Sequence, residues 1–287
     1  MTGRSRTVEL HDGVRLHALC WDGGDQVPFL LVHGLASNAE LWRGVGDHLA
    51  TAGHPVVAVD LRAHGRSDPS DRLDHDTLSD DLVAVAAACG LDRPVTVGQS
   101  WGGNVVVDLA VRHPDRVRSV VGVDGGHLEL AASFASADEA WATLAPPDWD
   151  ATPVTWDEVV ARITAATPGW PAAGRAAQLG NLAVRPDGTV TAVLTRARHR
   201  AILTGMHGHR PSQRLGDVAV PVLLVPVAGG DPARDDVTRR QVEALVDRHP
   251  HVTARWFHDR HHDVHAQAPD EVAAVLRDHA TRHEDPT

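Results

Sequence analysis

The strongest constraint on this chain is a series of short runs in which apolar residues do not alternate with polar ones. Phe29-Leu30-Leu31-Val32 has no polar side chain for either face of a pleat. Pro55-Val56-Val57-Ala58-Val59 repeats the pattern, and β-branched runs follow at 95–97, 117–123, 220–227 and 252–257. Successive side chains of a strand point to opposite faces, so a run that is apolar throughout must be covered on both. Helix-like segments lie between the runs, at 40–52, 77–89, 103–112, 235–248 and 269–279. Strands alternating with helices imply an α/β fold, a mostly parallel central sheet with helices on both faces. Runs 7–10 and 15–21 flank Asp12-Gly13 and read as an opening hairpin.

From 126 to 214 this rhythm stops. No buried strand is evident there, and the stretch holds Pro146-Pro147, Pro153, Pro168 and Pro171. It also holds Trp141, Trp149, Trp156 and Trp170, half of the eight tryptophans. We read 1–125 and 215–287 as the α/β core and 126–214 as a mainly helical insert. Tryptophans at this density are expected to line an apolar pocket, which makes these four candidate substrate-binding residues. Residues 283–287 read as a frayed tail.

Bulk properties exclude several classes of function. The net charge of −11 argues against a nucleic-acid partner. The first ten residues contain no apolar stretch of the signal-peptide kind. The longest wholly apolar run, 82–89, is too short to span a bilayer, so no membrane partner is expected. Two cysteines, Cys20 and Cys89, do not make a disulfide framework and read as small packing residues. A cytoplasmic, reducing location fits.

The chemistry is concentrated at Gly98-Gln99-Ser100-Trp101-Gly102. This G-x-S-x-G follows a β-branched run and precedes a helix-like segment, the context of a nucleophile elbow that projects the serine Oγ above a sheet. A side chain at 98 or 102 would crowd the tight approach of strand and helix. The helix also aims its N–H groups and positive dipole end at the place where negative charge would develop. A serine needs a base, and the base needs an orienting acid. On such a sheet both partners should lie past later strands, acid before histidine. Asp231 follows run 220–227, and His258, His261, His262 and His265 follow run 252–257. Asp124 ends run 117–123 and competes for the acid role, with a turn before Gly125-Gly126 as its structural alternative. Asp235 and Asp236 lie a little beyond Asp231.

With these residues in view, the chain resembles the α/β-hydrolase superfamily, in particular its serine hydrolases with a helical cap. The motifs are Leu30-Leu31-Val32-His33-Gly34-Leu35, Asp60-Leu61-Arg62-Ala63-His64-Gly65-Arg66-Ser67-Asp68, the elbow and the late histidine segment. The resemblance covers nearly the whole chain and is weakest through the insert. It implies His262 as the base, because the family places a proline seven residues after that histidine and Pro269 stands there. The family's usual preceding glycine is His261 here, which is also the next candidate. Asp231 is the preferred acid and Asp124 the alternative. The oxyanion hole would use the backbone N–H of Trp101, the residue after the nucleophile, and by resemblance that of Leu35. Trp101 is also a candidate for substrate contact. His33 would orient the Leu35 loop, and Asp60, His64 and Gly65 look like a structural turn.

The implied activity is hydrolysis of a carboxylic ester or lactone through an acyl-enzyme, with a small apolar acyl compound as partner and no cofactor. No metal is expected, since the late histidines read as a solvated loop. Amide, thioester and carbon–carbon cleavage, perhydrolysis and cofactor-free haloperoxidation stay open. A non-catalytic ligand-binding protein on the same scaffold is the alternative from another class. Trp-Gly-Gly after position 100 resembles dehalogenases and epoxide hydrolases of the superfamily, but those carry aspartate where this chain has Ser100.

Overall fold

The structure, a computed structural model, describes residues 2–229 and 231–283. All of the expected tail except His283 lies outside these residues. The first half runs β1 (Arg4–Glu9), β2 (Arg15–Trp21), β3 (Phe29–Val32), α1 (Arg43–Thr51), β4 (Val56–Val59), α2 (His75–Ala88), β5 (Val95–Gln99), α3 (Trp101–Arg112) and β6 (Ser119–Val123). Then come α4 (Ala137–Leu144), α5 (Trp156–Ala166), α6 (Ala172–Leu179), β7 (Leu182–Val184), β8 (Val190–Ala192), α7 (Arg196–Gly208) and α8 (Pro211–Arg214). The chain closes with β9 (Val222–Val225), β10 (Val227–Ala228), α9 (Pro232–Arg248), β11 (Val252–Ala254), β12 (Phe257–His258), α10 (Val264–Gln267) and α11 (Pro269–Arg282).

The main sheet has eight strands in the order β1-β2-β4-β3-β5-β6-β9-β11. The opening hairpin β1–β2 and its junction with β4 are antiparallel, and every other neighbouring pair is parallel. The apolar runs feed two cores at once. Leu30, Val32, Val57 and Val59 face one side with α2, α3 and α9, while Phe29, Leu31, Val56 and Ala58 face the other with α1 and α11. Two-sided burial is why these strands could not alternate. Truncating a fully buried side chain such as Leu31 to alanine costs about 2–5 kcal/mol.

Two expected runs are each broken in two. Run 220–227 stops at Val225, because Pro226 has no N–H for the ladder, and Val227–Ala228 pairs separately with Phe257–His258. The segment 126–214 adds no strand to the main sheet among the described residues. It is not wholly helical, however: β7 and β8 form a small antiparallel hairpin that buries Val190. Pro186-Asp187-Gly188 at its turn was the readable signal. Among the described residues no helix is long and apolar enough to cross a membrane.

Candidate active site

Ser100 stands between β5 and α3 with φ 52° and ψ −125°. A non-glycine residue held in this sparsely populated region is strained, and the surroundings leave it little choice. A Cβ on Gly98 would lie 2.1 Å from the Gly102 carbonyl oxygen, and one on Gly102 would lie 2.4 Å from that of His33. Both glycines are therefore dictated by the closeness of strand, helix and neighbouring loop. Ser100 N–H donates to Val123 O at 3.0 Å, which fixes the turn against β6. The Ser100 side chain does not cap α3, so its Oγ is not taken up by the helix terminus. Trp101 opens α3, and its N–H has no acceptor within the helix.

His262 lies in the loop between β12 and α10, and its Nδ1 is 2.5 Å from Asp124 Oδ2. Asp124 follows β6, is 1% exposed and has φ 41°. Its Oδ1 accepts from Val227 N–H at 3.1 Å, and Arg234 Nη2 donates to its Oδ2 at 2.9 Å. Burial opposes the charged Asp124, but the hydrogen bond and charge of His262 outweigh it and hold the carboxyl below its ordinary value. Burial likewise opposes the imidazolium of His262, yet the Asp124 hydrogen bond and charge prevail and raise its pKa.

The preferred acid, Asp231, is not at the site. It is exposed, precedes α9 and accepts from Ala233 N–H at 3.0 Å as the helix N-cap. Asp followed by a proline at the first helical position is a helix-start signature, and Asp231-Pro232 could have been read that way. The structure places the alternative, Asp124, beside His262. The other late histidines diverge. His258 lies in β12, and His261 donates its backbone N–H to Gln267 Oε1 and packs edge-on against Trp170. His265 is fully buried against Trp42, where burial pushes its pKa down to about 4.

Ser100 and His262 line one cavity of about 390 Å³, together with Leu35. Its apolar wall is Leu41, Trp149, Val159, Ile163 and Leu182, and its polar residues include Arg162, Gln178, Asn181 and Asp263. Gln99 is a residue the sequence reading missed. Fully buried, it donates through Nε2 to His262 O and Asp263 Oδ1, both at 3.3 Å, tying the elbow to the histidine loop.

Of the four insert tryptophans only Trp149 lines this cavity. Trp141 stacks under Arg196 and Arg200, Trp156 packs on the Val154–Val159–Val190 cluster, and Trp170 is buried with Leu41, Ala177 and Ala266. These three are consumed by the insert's own packing and its seat on the core. The Trp101 side chain points away as well, into the wall of a separate cavity of about 650 Å³. That cavity is larger, but it contains neither Ser100 nor His262.

His33 is fully buried and kept neutral by that burial. Its Nε2 accepts from Leu61 N–H at 3.0 Å, so Nδ1 carries the proton and donates to Gly34 O at 2.7 Å. That carbonyl shares a peptide plane with the Leu35 N–H, so His33 fixes the direction of both. Asp60 accepts from Ala39 and Arg66 N–H and ties the neighbouring loops together.

Among the described residues, one His/Asp group has donor atoms close enough to share a metal ion: His75, Asp108 and His209, within 4.8 Å of one another. Trp101 Nε1–H donates to His75 Nε2 at 2.9 Å, so the His75 proton sits on Nδ1 and is given to Asp108 Oδ2 at 2.5 Å. Arg214 donates to the other Asp108 oxygen at 2.6 Å. A metal at His75 Nδ1 would drive that proton onto Nε2, against the indole N–H. As arranged, the cluster is a hydrogen-bonded buttress behind Trp101.

A profile of the alpha/beta hydrolase fold family matches residues 27–180, more than half of the chain. Bifunctional epoxide hydrolase 2 of Sus scrofa is 33% identical over 120 residues, 41% of this chain and 21% of that protein. An sn-1-specific diacylglycerol lipase of Danio rerio is 32% identical over 106 residues, 36% of this chain and 33% of that one. A non-heme chloroperoxidase of Streptomyces lividans is 35% identical over 117 residues, 40% and 42% of the two chains. The similarity thus spans less than half the length of each relative. Among solved structures, E-2-(acetamidomethylene)succinate hydrolase superposes with a TM-score of 0.77 at 22% identity, over 96% of this chain and 98% of its own. The thioesterase domain from the curacin biosynthetic pathway does so with a TM-score of 0.74 at 18% identity, over 96% and 100%. The elbow, the eight-stranded sheet and the matching profile together mean that this chain belongs to the alpha/beta hydrolase fold family.

Proposed function

We propose that this protein is a serine hydrolase that cleaves a carboxylic ester or lactone through an acyl-enzyme, with Ser100, His262 and Asp124 as its triad. The carrying observation is that an uncapped serine on a strained elbow shares a cavity with a histidine whose Nδ1 is held by a buried carboxylate. Asp124 on Nδ1 leaves Nε2 as the nitrogen free to act as base. Ser100 Oγ attacks the carbonyl carbon as His262 takes its proton. The oxyanion is received by the N–H groups of Leu35 and Trp101, each worth about 3–4 kcal/mol in the transition state. His262 returns the proton to the leaving oxygen, and water repeats the sequence to free the acid.

The segment 126–214 acts as a cap over the cavity and supplies Trp149, Val159 and Ile163 to its wall. The mixed lining suits an acyl group with an apolar body, and Arg162 adds a cation that would favour a polar or anionic end. The similarity to epoxide hydrolases does not extend to their chemistry in this reading, because position 100 is a serine.

A fluorophosphonate probe followed by peptide mapping tests the proposal directly. Labelling of Ser100 at neutral pH is expected, with turnover of chromogenic esters or lactones that falls about 10³-fold or more in Ser100→Ala. A protein that binds such esters without labelling or turnover would be a ligand-binding member of the fold instead.

A further inference from the structure

The chain's two cysteines are 69 residues apart in sequence, yet their sulfurs lie 3.7 Å apart. Cys20 is on β2, held between Arg4 of β1 and Val57 of β4, and Cys89 is the C-cap of α2. Both are partly exposed and line a cleft of about 410 Å³ that also presents Arg6. Neither touches the Ser100 cavity. Packing alone does not require the two thiols to face each other across an open cleft.

The two thiols are unequal. Either sulfur could donate to the other; the Cys20 S–H is the donor in the arrangement in which Cys89 is the thiolate, and Arg6 adds a positive charge beside it. Together these outweigh burial and bring Cys89 down to about 7. The same hydrogen bond and burial raise Cys20. One thiol is therefore prepared to attack and the other to resolve. Forming a disulfide needs the sulfurs to close to about 2.05 Å. Cys89 stands at a helix end, next to Gly90, which has open space around it, whereas Cys20 is fixed within the sheet.

We propose that Cys20 and Cys89 form a thiol-oxidation site that reacts with peroxides and closes into an intramolecular disulfide. The Cys89 thiolate attacks one peroxide oxygen and the O–O bond breaks, leaving a sulfenic acid on Cys89 and releasing water after proton transfer. The Cys20 sulfur then attacks the Cys89 sulfur, an S–S bond forms and a second water leaves. Two thiols thus lose two electrons and two protons, and one hydrogen peroxide becomes two waters. The disulfide would tie the end of α2 to β2, the second strand of the sheet. This inference does not depend on the hydrolase reading.

The test is stoichiometric hydrogen peroxide on the intact protein, read by mass spectrometry and thiol titration. We expect a loss of about 2 Da, a Cys20–Cys89 cross-linked peptide, reversal by dithiothreitol and a melting temperature raised by roughly 5 °C. In the reduced protein at neutral pH, Cys89 should alkylate at least about tenfold faster than Cys20. In Cys20→Ser, dimedone should trap a sulfenic acid on Cys89. Both thiols remaining free after oxidant, equal alkylation rates, or cross-linking only between molecules would each overturn the proposal.

Discussion

At the scale of the residue, the His262–Asp124 contact carries the sharpest predictions. Asp124→Asn should lower kcat by about 10⁴-fold, by analogy with other triads, because the histidine loses its tautomer and its counter-charge. Asp231→Asn should leave kcat within about twofold, since asparagine caps a helix about as well as aspartate does. If the Asp231 variant were the inactive one, the acid assignment would be wrong. The pH profile follows from the same contact. In the proposed mechanism His262 must be neutral to accept the serine proton, and Asp124 raises its pKa. Activity is therefore expected to fall as pH drops through that pKa, with an acid limb in kcat/KM above about 6.5. In Asp124→Asn the residual activity should show a limb displaced to lower pH. Trp149→Ala should act on KM and substrate preference as well as on stability, because Trp149 lines the cavity and also packs on the Val154–Val159–Val190 cluster, whereas Trp156→Ala should act on stability without changing substrate preference, because Trp156 packs that cluster and does not line the cavity. A panel of acyl esters and a melting curve on both variants separate the two effects.

At the scale of the element, the elbow works because β5, α3 and the His33 loop approach within the space of a hydrogen atom at Gly98 and Gly102. Gly98→Ala places a methyl 2.1 Å from a backbone oxygen that no rotamer change can move. Strand and helix must then part. We expect kcat to fall at least about tenfold and the protein to lose roughly 2 kcal/mol or more, measured by urea unfolding beside ester turnover. Much of this element was legible, because the β-branched run, the glycines, the serine and the helix are contiguous. The break of β9 at Pro226 was less so. It puts β10 on β12, and the Val227 N–H of β10 then becomes an anchor for Asp124. No window of neighbouring residues contains that pairing. The β7–β8 hairpin was signalled by Pro186-Asp187-Gly188 but was masked by the poor apolar alternation of its strands.

At the scale of the whole molecule, the buried histidines set the response to acid. Burial holds His64 at about 3 and His199, His265 and His279 at about 4, against about 6.5 unfolded. A histidine lowered in the folded state contributes stability above the unfolded pKa and loses it as pH falls. His262 runs the other way, its raised pKa giving stability below about 6.5 that is lost as pH rises, but it is outnumbered by these four and by the buried His33 and His127, which are lowered as well. We expect the unfolding free energy, and the urea midpoint with it, to fall steadily between about pH 6.5 and pH 4, the free energy by about 1.4 kcal/mol per pH unit for each extra proton the unfolded chain binds. A flat midpoint over that window would contradict the burial of these side chains. The same long-range packing explains what could be read in advance. The sequence by itself determined the parallel sheet and the serine elbow, because each rests on residues adjacent in the chain, while His262 was singled out among the late histidines by a resemblance, through its spacing to Pro269. Only the tertiary structure decided which aspartate meets His262, which tryptophan reaches the cavity and that two distant cysteines touch. Asp124 and Asp231 both follow strands, and a one-dimensional pattern treats them alike. What separates them is that α9 begins at Pro232 and turns Asp231 outward, while the end of β6 delivers Asp124 to the histidine loop.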